Sequence, residues 1–297
     1  MRRLVSGPVA LLPGQRAPGF SVYSLPQLFR CLTVVSEALP PANLSNRAES
    51  NLRQYYSGFD NPITRAMLSV IVPVFNEVTT VIEVLEAVNA TPFSKEIIVV
   101  DDGSNDGTTA LLGQLHGRTG FANVTCLFSK VNSGKGAAIR KALPRVRGDF
   151  VVIQDADLEY SPADYAALLR PLLSGVADVV LGSRFHRGID WQYPIHFLSN
   201  RILNLCFNLR TGKRLTDVET GMKAFRRENI VPLPLVEDHF GFEIEVLCRS
   251  IAAGHRVHEV PIQYQRRSYA DGKKCTLKYQ LAAVAQLMRY ARPATVV

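Results

Sequence analysis

Phe150-Val151-Val152-Ile153-Gln154-Asp155-Ala156-Asp157-Leu158-Glu159 is an apolar strand that runs straight into three carboxylates at alternate positions. In an extended backbone, residues i, i+2 and i+4 point the same way, so Asp155, Asp157 and Glu159 are expected to converge. Clustered carboxylates repel one another unless a cation sits among them, and hard oxygen ligands suit Mg²⁺ or Mn²⁺. The competing reading is a polar strand end whose acids favour the dipole of a helix starting near Ser161-Pro162-Ala163-Asp164.

Two upstream runs have the same form. Leu68-Ser69-Val70-Ile71-Val72-Pro73-Val74-Phe75-Asn76-Glu77 and Glu96-Ile97-Ile98-Val99-Val100-Asp101-Asp102 are buried-type strands that end in acids or amides. Helical patterns lie between the strands: one over about 78–88 with Val78, Ile82, Leu85 and Val88 on one face, one over 108–117, and one over 134–143 before Pro144. Alternating strand and helix predicts an α/β fold with a mostly parallel sheet and right-handed crossovers. Ligands bind such sheets at the carboxyl ends of the strands, where Asn76-Glu77, Asp101-Asp102 and Asp155-Ala156-Asp157 all fall.

Five motifs in this order, V-I-V-P-V-F-N-E from Val70, V-V-D-D-G-S-N-D-G-T from Val99, N-S-G-K-G-A-A-I-R from Asn132, D-A-D from Asp155 and G-S-R-F from Gly182, resemble those of the inverting family-two glycosyltransferases. The branch they resemble holds dolichyl-phosphate mannose synthase and the polyprenyl-phosphate hexose synthases, and the likeness runs from Met67 to about Tyr290. It implies a GT-A fold, a Rossmann-like mixed sheet flanked by helices, over residues 67–297. It further implies that Pro73, Phe75, Glu77 and Asp102 line the base pocket and that Gly134 and Lys135 lie beside the nucleotide. Asp155 would sit near ribose or metal, with Asp157 and Glu159 holding the metal. Asp102 suits this role because a carboxylate accepts from a base NH. The structural alternative for Glu77 and Asp102 is a helix cap or an Asx turn.

Ser133-Gly134-Lys135-Gly136 looks like a phosphate-binding loop, but the Walker pattern needs a Gly five positions before the Gly of its Gly-Lys pair and a Ser or Thr after the Lys. Ser129 and Gly136 stand there, which argues against a kinase or ATPase.

In the carboxyl-terminal half, Arg184, Arg201 and the segment Thr216 to Arg227 bring cations beside an acidic turn. By resemblance, Arg184 and Arg201 contact donor or acceptor phosphates, for which the guanidinium fork is suited. Arg266 and Arg267, with Lys273 and Lys274 of the Asp271-Gly272-Lys273-Lys274 run, stand where the branch carries acceptor-side motifs. That run departs from the family's Gly-Lys-Ser-Lys type at Lys274, and no membrane span follows it.

The 297-residue chain carries a formal charge of +8, which fits phosphorylated ligands or an anionic surface. Nucleic acid is disfavoured, since the basic residues form no continuous run interleaved with aromatics. The five cysteines are odd in number and unpaired in spacing, as expected of reduced thiols in a cytoplasmic protein. No stretch reaches the roughly 18 to 20 apolar residues of a bilayer span. Trp191–Leu209 and Cys275–Tyr290 are instead amphipathic, suited either to the cytoplasmic face of a membrane or to packing on the sheet. Residues 1–66 differ in character: they read as an extension, whether targeting segment, surface anchor or lid, with an amphipathic run over Leu28–Leu39.

The expected function is metal-dependent transfer of a hexosyl unit from a nucleotide sugar, of GDP-mannose or UDP-glucose type, to a polyprenyl phosphate, with Asp157 and Arg201 central. If the acceptor is instead a hydroxyl of a sugar, metabolite or peptide, a carboxylate must take its proton, and Asp217 and Glu243 are the candidates. A non-catalytic nucleotide-sugar binder is the third reading, and the intact Asp155-to-Glu159 run argues against it.

Overall fold

The computed structural model describes residues 66–115, 118–185, 194–267 and 277–291. The expectations for the first 65 residues and for Lys273 and Lys274 lie outside these. Seven strands form one sheet: β1 Leu68–Val74, β2 Lys95–Asp101, β3 Val124–Phe128, β4 Phe150–Ile153, β5 Val179–Ser183, β6 Lys223–Arg226 and β7 Val257–Pro261. Their spatial order is β3-β2-β1-β4-β6-β5-β7. β6 runs antiparallel to both β4 and β5, and the other pairings are parallel.

The helices are α1 Val81–Ala90, α2 Thr108–Gly113, α3 Lys135–Ala142, α4 Tyr165–Leu173, α5 Pro194–Thr211, α6 Arg227–Ile230, α7 Phe242–Ala252 and α8 Leu277–Tyr290. Both sheet faces are covered, which is why the strands read as unbroken apolar runs rather than alternating ones. Val70, Val72 and Val152 pack with Val81, Leu85, Leu112 and Leu168 on one side. Ile71, Val151 and Ile153 pack with Ile139, Phe207, Phe242 and Leu287 on the other.

α1 begins three residues later than its apolar spacing predicts, and its buried stripe is Val81, Val84, Leu85 and Val88. Val78 is exposed. The first turn is diverted because the Glu77 amide donates to the Thr108 hydroxyl at 3.0 Å and the Val78 amide to Asp106 at 3.2 Å.

The sheet places its switch point between β1 and β4: the chain proceeds outward from β1 through β2 to β3, then returns to the other side of β1. Pairing of β1 with β4 ends at Ile71↔Ile153, and Gln154 N closes it on the Ile71 carbonyl at 3.0 Å. Two residues further on, Pro73 faces the same side with no ladder partner to lose, so a proline is tolerated within an inner strand. Ligands of such sheets bind in the crevice at this point, outside the ends of these two strands.

Candidate active site

The crevice is built from loops that the chain ties to one another. After β1, Asn76 takes a left-handed conformation at φ 54°, and its amide donates to Ser104 Oγ at 2.8 Å. After β2, Asp101 caps the same turn by accepting from the Ser104 amide and the Thr109 hydroxyl. Asp106 accepts from the Thr108 amide at 3.0 Å at the start of α2. Asp101 and Asp106 are therefore framework groups.

Asp102 reaches across to the third loop, where its Oδ2 accepts the amides of Ser133 and Gly134 at 2.9 and 2.6 Å. Its other oxygen has no partner among the described residues. The glycines of Ser133-Gly134-Lys135-Gly136 have a packing cause. A β-carbon on Gly134 would lie 2.4 Å from the Asp238 carbonyl oxygen, and one on Gly136 would lie 2.2 Å from that of Glu237. The 237–239 loop thus covers the amino end of α3, and the Ala137 amide donates to the Asp238 carbonyl at 3.0 Å. The glycines are thus explained by this packing, which agrees with setting aside the Walker reading.

The three carboxylates after β4 do not converge by strand alternation. The strand stops at Ile153 and the chain turns, with Leu158 left-handed at φ 62°. Gln154 holds this turn by donating to the Asp155 and Tyr160 carbonyls. Glu159 is tied to the 264–267 segment: its oxygens accept from the Tyr264 hydroxyl at 2.8 Å and the Arg267 amide at 2.9 Å. Among the described residues no group of three His, Cys, Asp or Glu side chains is gathered for a metal. The extended-strand expectation for the triad thus fails on backbone geometry, and Asp155 and Asp157 form the remaining pair.

That pair still fits a hard divalent cation. Burial, with Asp155 and Glu159 nearby, pushes the Asp157 carboxyl up to about 7, because the Arg267 charge beside it does not offset them. Mg²⁺ is commonly held by one or two carboxylates completed by substrate phosphates and water, so two protein ligands suffice. Gly221 makes room for this edge: a β-carbon there would stand 2.1 Å from Asp155 Oδ2. Its amide donates to the Tyr160 hydroxyl at 2.9 Å.

A chain of buried ions runs inward from Asp155. Lys135 Nζ lies 2.7 Å from Asp155 Oδ1 and 2.8 Å from Glu243 Oε1. Burial opposes its charge, but the two carboxylates prevail and hold the ammonium above its ordinary range. Glu243 also binds Lys223, which is fully buried and donates to the Thr220 carbonyl. Desolvation pulls Lys223 downward. Glu243, expected as a candidate base, is thereby committed to two ammonium groups.

Asp217 is committed in the same way. Its oxygens meet Arg184 Nε and Nη2, each at 2.7 Å, and Glu259 of β7 fixes the turn by accepting the Thr216 and Asp217 amides. Both candidate bases are buried, and each already holds a cationic partner. Arg184 stacks over Phe185 and Tyr264, while Arg201 lies exposed across Phe185 and Phe197 at 5.4 and 5.2 Å. A guanidinium stacked on rings keeps its edge N–H groups able to meet an anion.

Arg267, expected on the acceptor side, is tied to the loops that follow β1 and β4. It donates to Glu77 Oε2 at 2.8 Å and to the Asp157 carbonyl at 2.5 Å. Arg266 is half-buried in the same segment. Sequence reasoning did not single out Glu219, whose carboxyl is pushed up to about 7 by burial and by the Asp217 and Glu243 charges, against the pull of Arg184 and Lys223. Nor did it single out Lys223, although a lysine inside the short strand Lys223-Ala224-Phe225 was the available signal.

The fold has solved counterparts. Glucosyl-3-phosphoglycerate synthase from Mycobacterium tuberculosis, in complex with Mg²⁺ and uridine diphosphate, superposes with a TM-score of 0.59 at 20% identity, covering 88% of each chain. The same protein with Mn²⁺, uridine-diphosphate-glucose and phosphoglyceric acid gives 0.59 at 21% identity and 88% of each chain. Among curated relatives, glycosyltransferase AglJ of Haloferax volcanii is 30% identical over 70% of this chain and 65% of its own. Undecaprenyl-phosphate 4-deoxy-4-formamido-L-arabinose transferase of Serratia proteamaculans is 30% identical over 71% and 64%. Dodecaprenyl-phosphate galacturonate synthase of Rhizobium johnstonii is 27% identical over 80% and 72%. The chain spans less than two thirds of the length of the first two of these relatives. The model of glycosyl transferase family 2 matches residues 69–231, more than half of the chain and all of the first four strand-end loops. This protein belongs to glycosyl transferase family 2.

Proposed function

We propose that the protein transfers a hexosyl unit from a nucleotide sugar to a polyprenyl phosphate at a membrane surface. The observation that carries the acceptor is the locking of Asp217 and Glu243 in buried ion pairs. A phosphate acceptor is already anionic at neutral pH and needs orientation rather than a base. The names of the polyprenyl-phosphate relatives support the same reading.

In this account Pro73 and Phe75 wall the base, and Asp102 accepts from a base NH through the oxygen not used on the third loop. Asp155 and Asp157 would hold Mg²⁺ or Mn²⁺, which when bound stabilises the departing diphosphate. Lys135 adds a fixed positive charge beside that pair, and its two carboxylate partners keep it protonated. Arg184, immobilised by Asp217, and Arg201, stacked on aromatic rings, orient the acceptor phosphate for attack on the anomeric carbon. Tyr264 and Arg267 close the donor loops.

The test is transfer measured by mass spectrometry across GDP and UDP sugars, with and without a short polyprenyl phosphate. Product with a polyprenyl phosphate and one donor is expected, and Arg201→Ala should lower turnover far more than donor affinity. No transfer to any polyprenyl phosphate overturns the reading. A hydroxyl acceptor would find its base in Glu219, half-buried beside Asp217 and pushed by burial up to about 7. Under that reading Glu219→Gln abolishes turnover on a hydroxyl substrate, and the rate of the parent falls below pH 7.

A further inference from the structure

Helix α5 carries an apolar stripe left exposed among the described residues. Its inner face sends Leu203, Asn204 and Phe207 into the core, while Leu198, Ile202, Leu205 and Leu209 are 60, 50, 58 and 74% exposed. Spacings of four, three and four residues place these side chains on one side of the helix. α8 packs beside α5 and adds exposed Val284 and Met288. Six large apolar groups gathered on two neighbouring helices are more than the scattered exposure normal for a protein surface.

The charges around the stripe select its occupant. No acid occurs from Trp191 to Arg214 or within Leu277–Tyr290, although the chain has 26 acidic residues. Arg201 and Arg214 are exposed and Lys213 is half-exposed along the same helix and its end. A second copy seated there about a two-fold axis would oppose this cationic face with itself, and Glu237, the acid that meets α8, is already held by Gln286, Arg289 and Tyr290. An anionic lipid surface answers both the apolar groups and the cations.

We propose that the α5–α8 face docks the protein on an anionic bilayer. This rests on the lipid-acceptor reading and names the surface that serves it. Phe197 and Arg201 of α5 stack with Phe185, and Phe185 adjoins Arg184 on its Asp217 clamp. Docking through α5 therefore brings the mouth of the site to the level of the headgroups, where a lipid phosphate lies.

The experiment is sedimentation of the full chain with vesicles of phosphatidylcholine alone and of phosphatidylcholine with phosphatidylglycerol. The parent should partition onto the anionic vesicles and more weakly onto the neutral ones. The double variant Leu205→Glu/Leu209→Glu should partition at least about tenfold more weakly, and Lys213→Ala/Arg214→Ala should lose the preference for anionic lipid. Val176→Glu, at an exposed position off this face, should behave as the parent and controls for added charge. Transfer to a water-soluble, short-chain prenyl phosphate should be the same in all four proteins; its absence from the parent would count against the acceptor reading rather than the docking face. Equal sedimentation of the parent and the Leu205→Glu/Leu209→Glu protein overturns the proposal. So does a parent dimer that this variant dissociates while vesicle binding stays unchanged.

Discussion

The two edges of the sheet use the same kinds of residue to opposite ends. At the amino-terminal edge, Glu96 is buried between β1, β2 and the approach to β4, and every contact it makes is answered by the chain. Its oxygens accept from the Ser69 hydroxyl at 2.6 Å, the Arg147 amide at 2.6 Å and Arg147 Nε at 2.7 Å. Burial alone would raise its carboxyl, but these donors hold it below the ordinary range. At the carboxyl-terminal edge, Asp157 and Glu219 are pushed up to about 7 because burial and neighbouring acids outweigh the donors they have. One edge is complete without a ligand, and the other is electrostatically unfinished. Perturbed carboxylates of the second kind mark sites where a ligand supplies the missing charge.

The largest effect expected from this contrast is at Asp157. Asp157→Ala should reduce transfer by roughly a thousandfold or more, since an interaction with developing charge is lost, while the melting temperature of the metal-free protein at pH 8 stays level or rises. Loss of folding in this variant, seen by circular dichroism, would erase the distinction between the edges. Next in size is Gly221→Ala. The added carbon meets Asp155 Oδ2, and displacement of a site group by about 1 Å costs on the order of a hundredfold in rate. Unchanged kcat in Gly221→Ala would show that Asp155 does not need its observed position.

Much of this was legible in the sequence. The strand ends, the parallel sheet and the grouping of Glu77, Asp102, Lys135 and Asp155 at one edge follow from apolar runs that stop at acids. What was not legible depends on backbone turns and long-range pairing. Alternation along Asp155, Asp157 and Glu159 assumed a strand that ends at Ile153, and the left-handed Leu158 sends Glu159 to Tyr264. Asp217 and Glu243 read as free acids until folding brought them Arg184, Lys135 and Lys223 from 33, 108 and 20 positions away along the chain, taking the first from Asp217 and the others from Glu243. The turn after β4 has no strong local marker, because Gln154 holds it by side-chain bonds to the Asp155 and Tyr160 carbonyls that only the fold supplies.

A smaller effect concerns pH. A carboxyl raised in the folded state favours folding at low pH, and that contribution is lost as pH rises from about 4 to about 7, the Asp157 and Glu219 case. A depressed carboxyl such as Glu96 does the reverse: its contribution is present above its unfolded value and is lost as pH falls through the folded one. The melting temperature of the metal-free protein should therefore decline between pH 5 and 7.5, and Asp157→Asn/Glu219→Gln should flatten that decline. A decline of equal slope in the double variant would assign it elsewhere.

Smallest in its effect on catalysis is the completed edge. Glu96→Ala leaves the Ser69 hydroxyl and the Arg147 amide without their acceptor and should cost about 2 kcal/mol of stability in urea unfolding. Turnover per folded molecule should match the parent, and a loss of kcat beyond about twofold would break the separation between the edges.

At the carboxyl-terminal edge a divalent metal is expected to bring the positive charge that Asp157 calls for, with a nucleoside diphosphate completing the metal's shell. Calorimetry of UDP and GDP binding, with Mn²⁺ or with chelator, at pH 7.5 and pH 6, tests it directly. One of the two nucleotides should bind only with Mn²⁺, about tenfold more weakly at pH 6 as protons compete for Asp157, and in Asp157→Asn the Mn²⁺ dependence should vanish along with tight binding. Equal nucleotide affinity in chelator, at both pH values and in Asp157→Asn, would contradict the account.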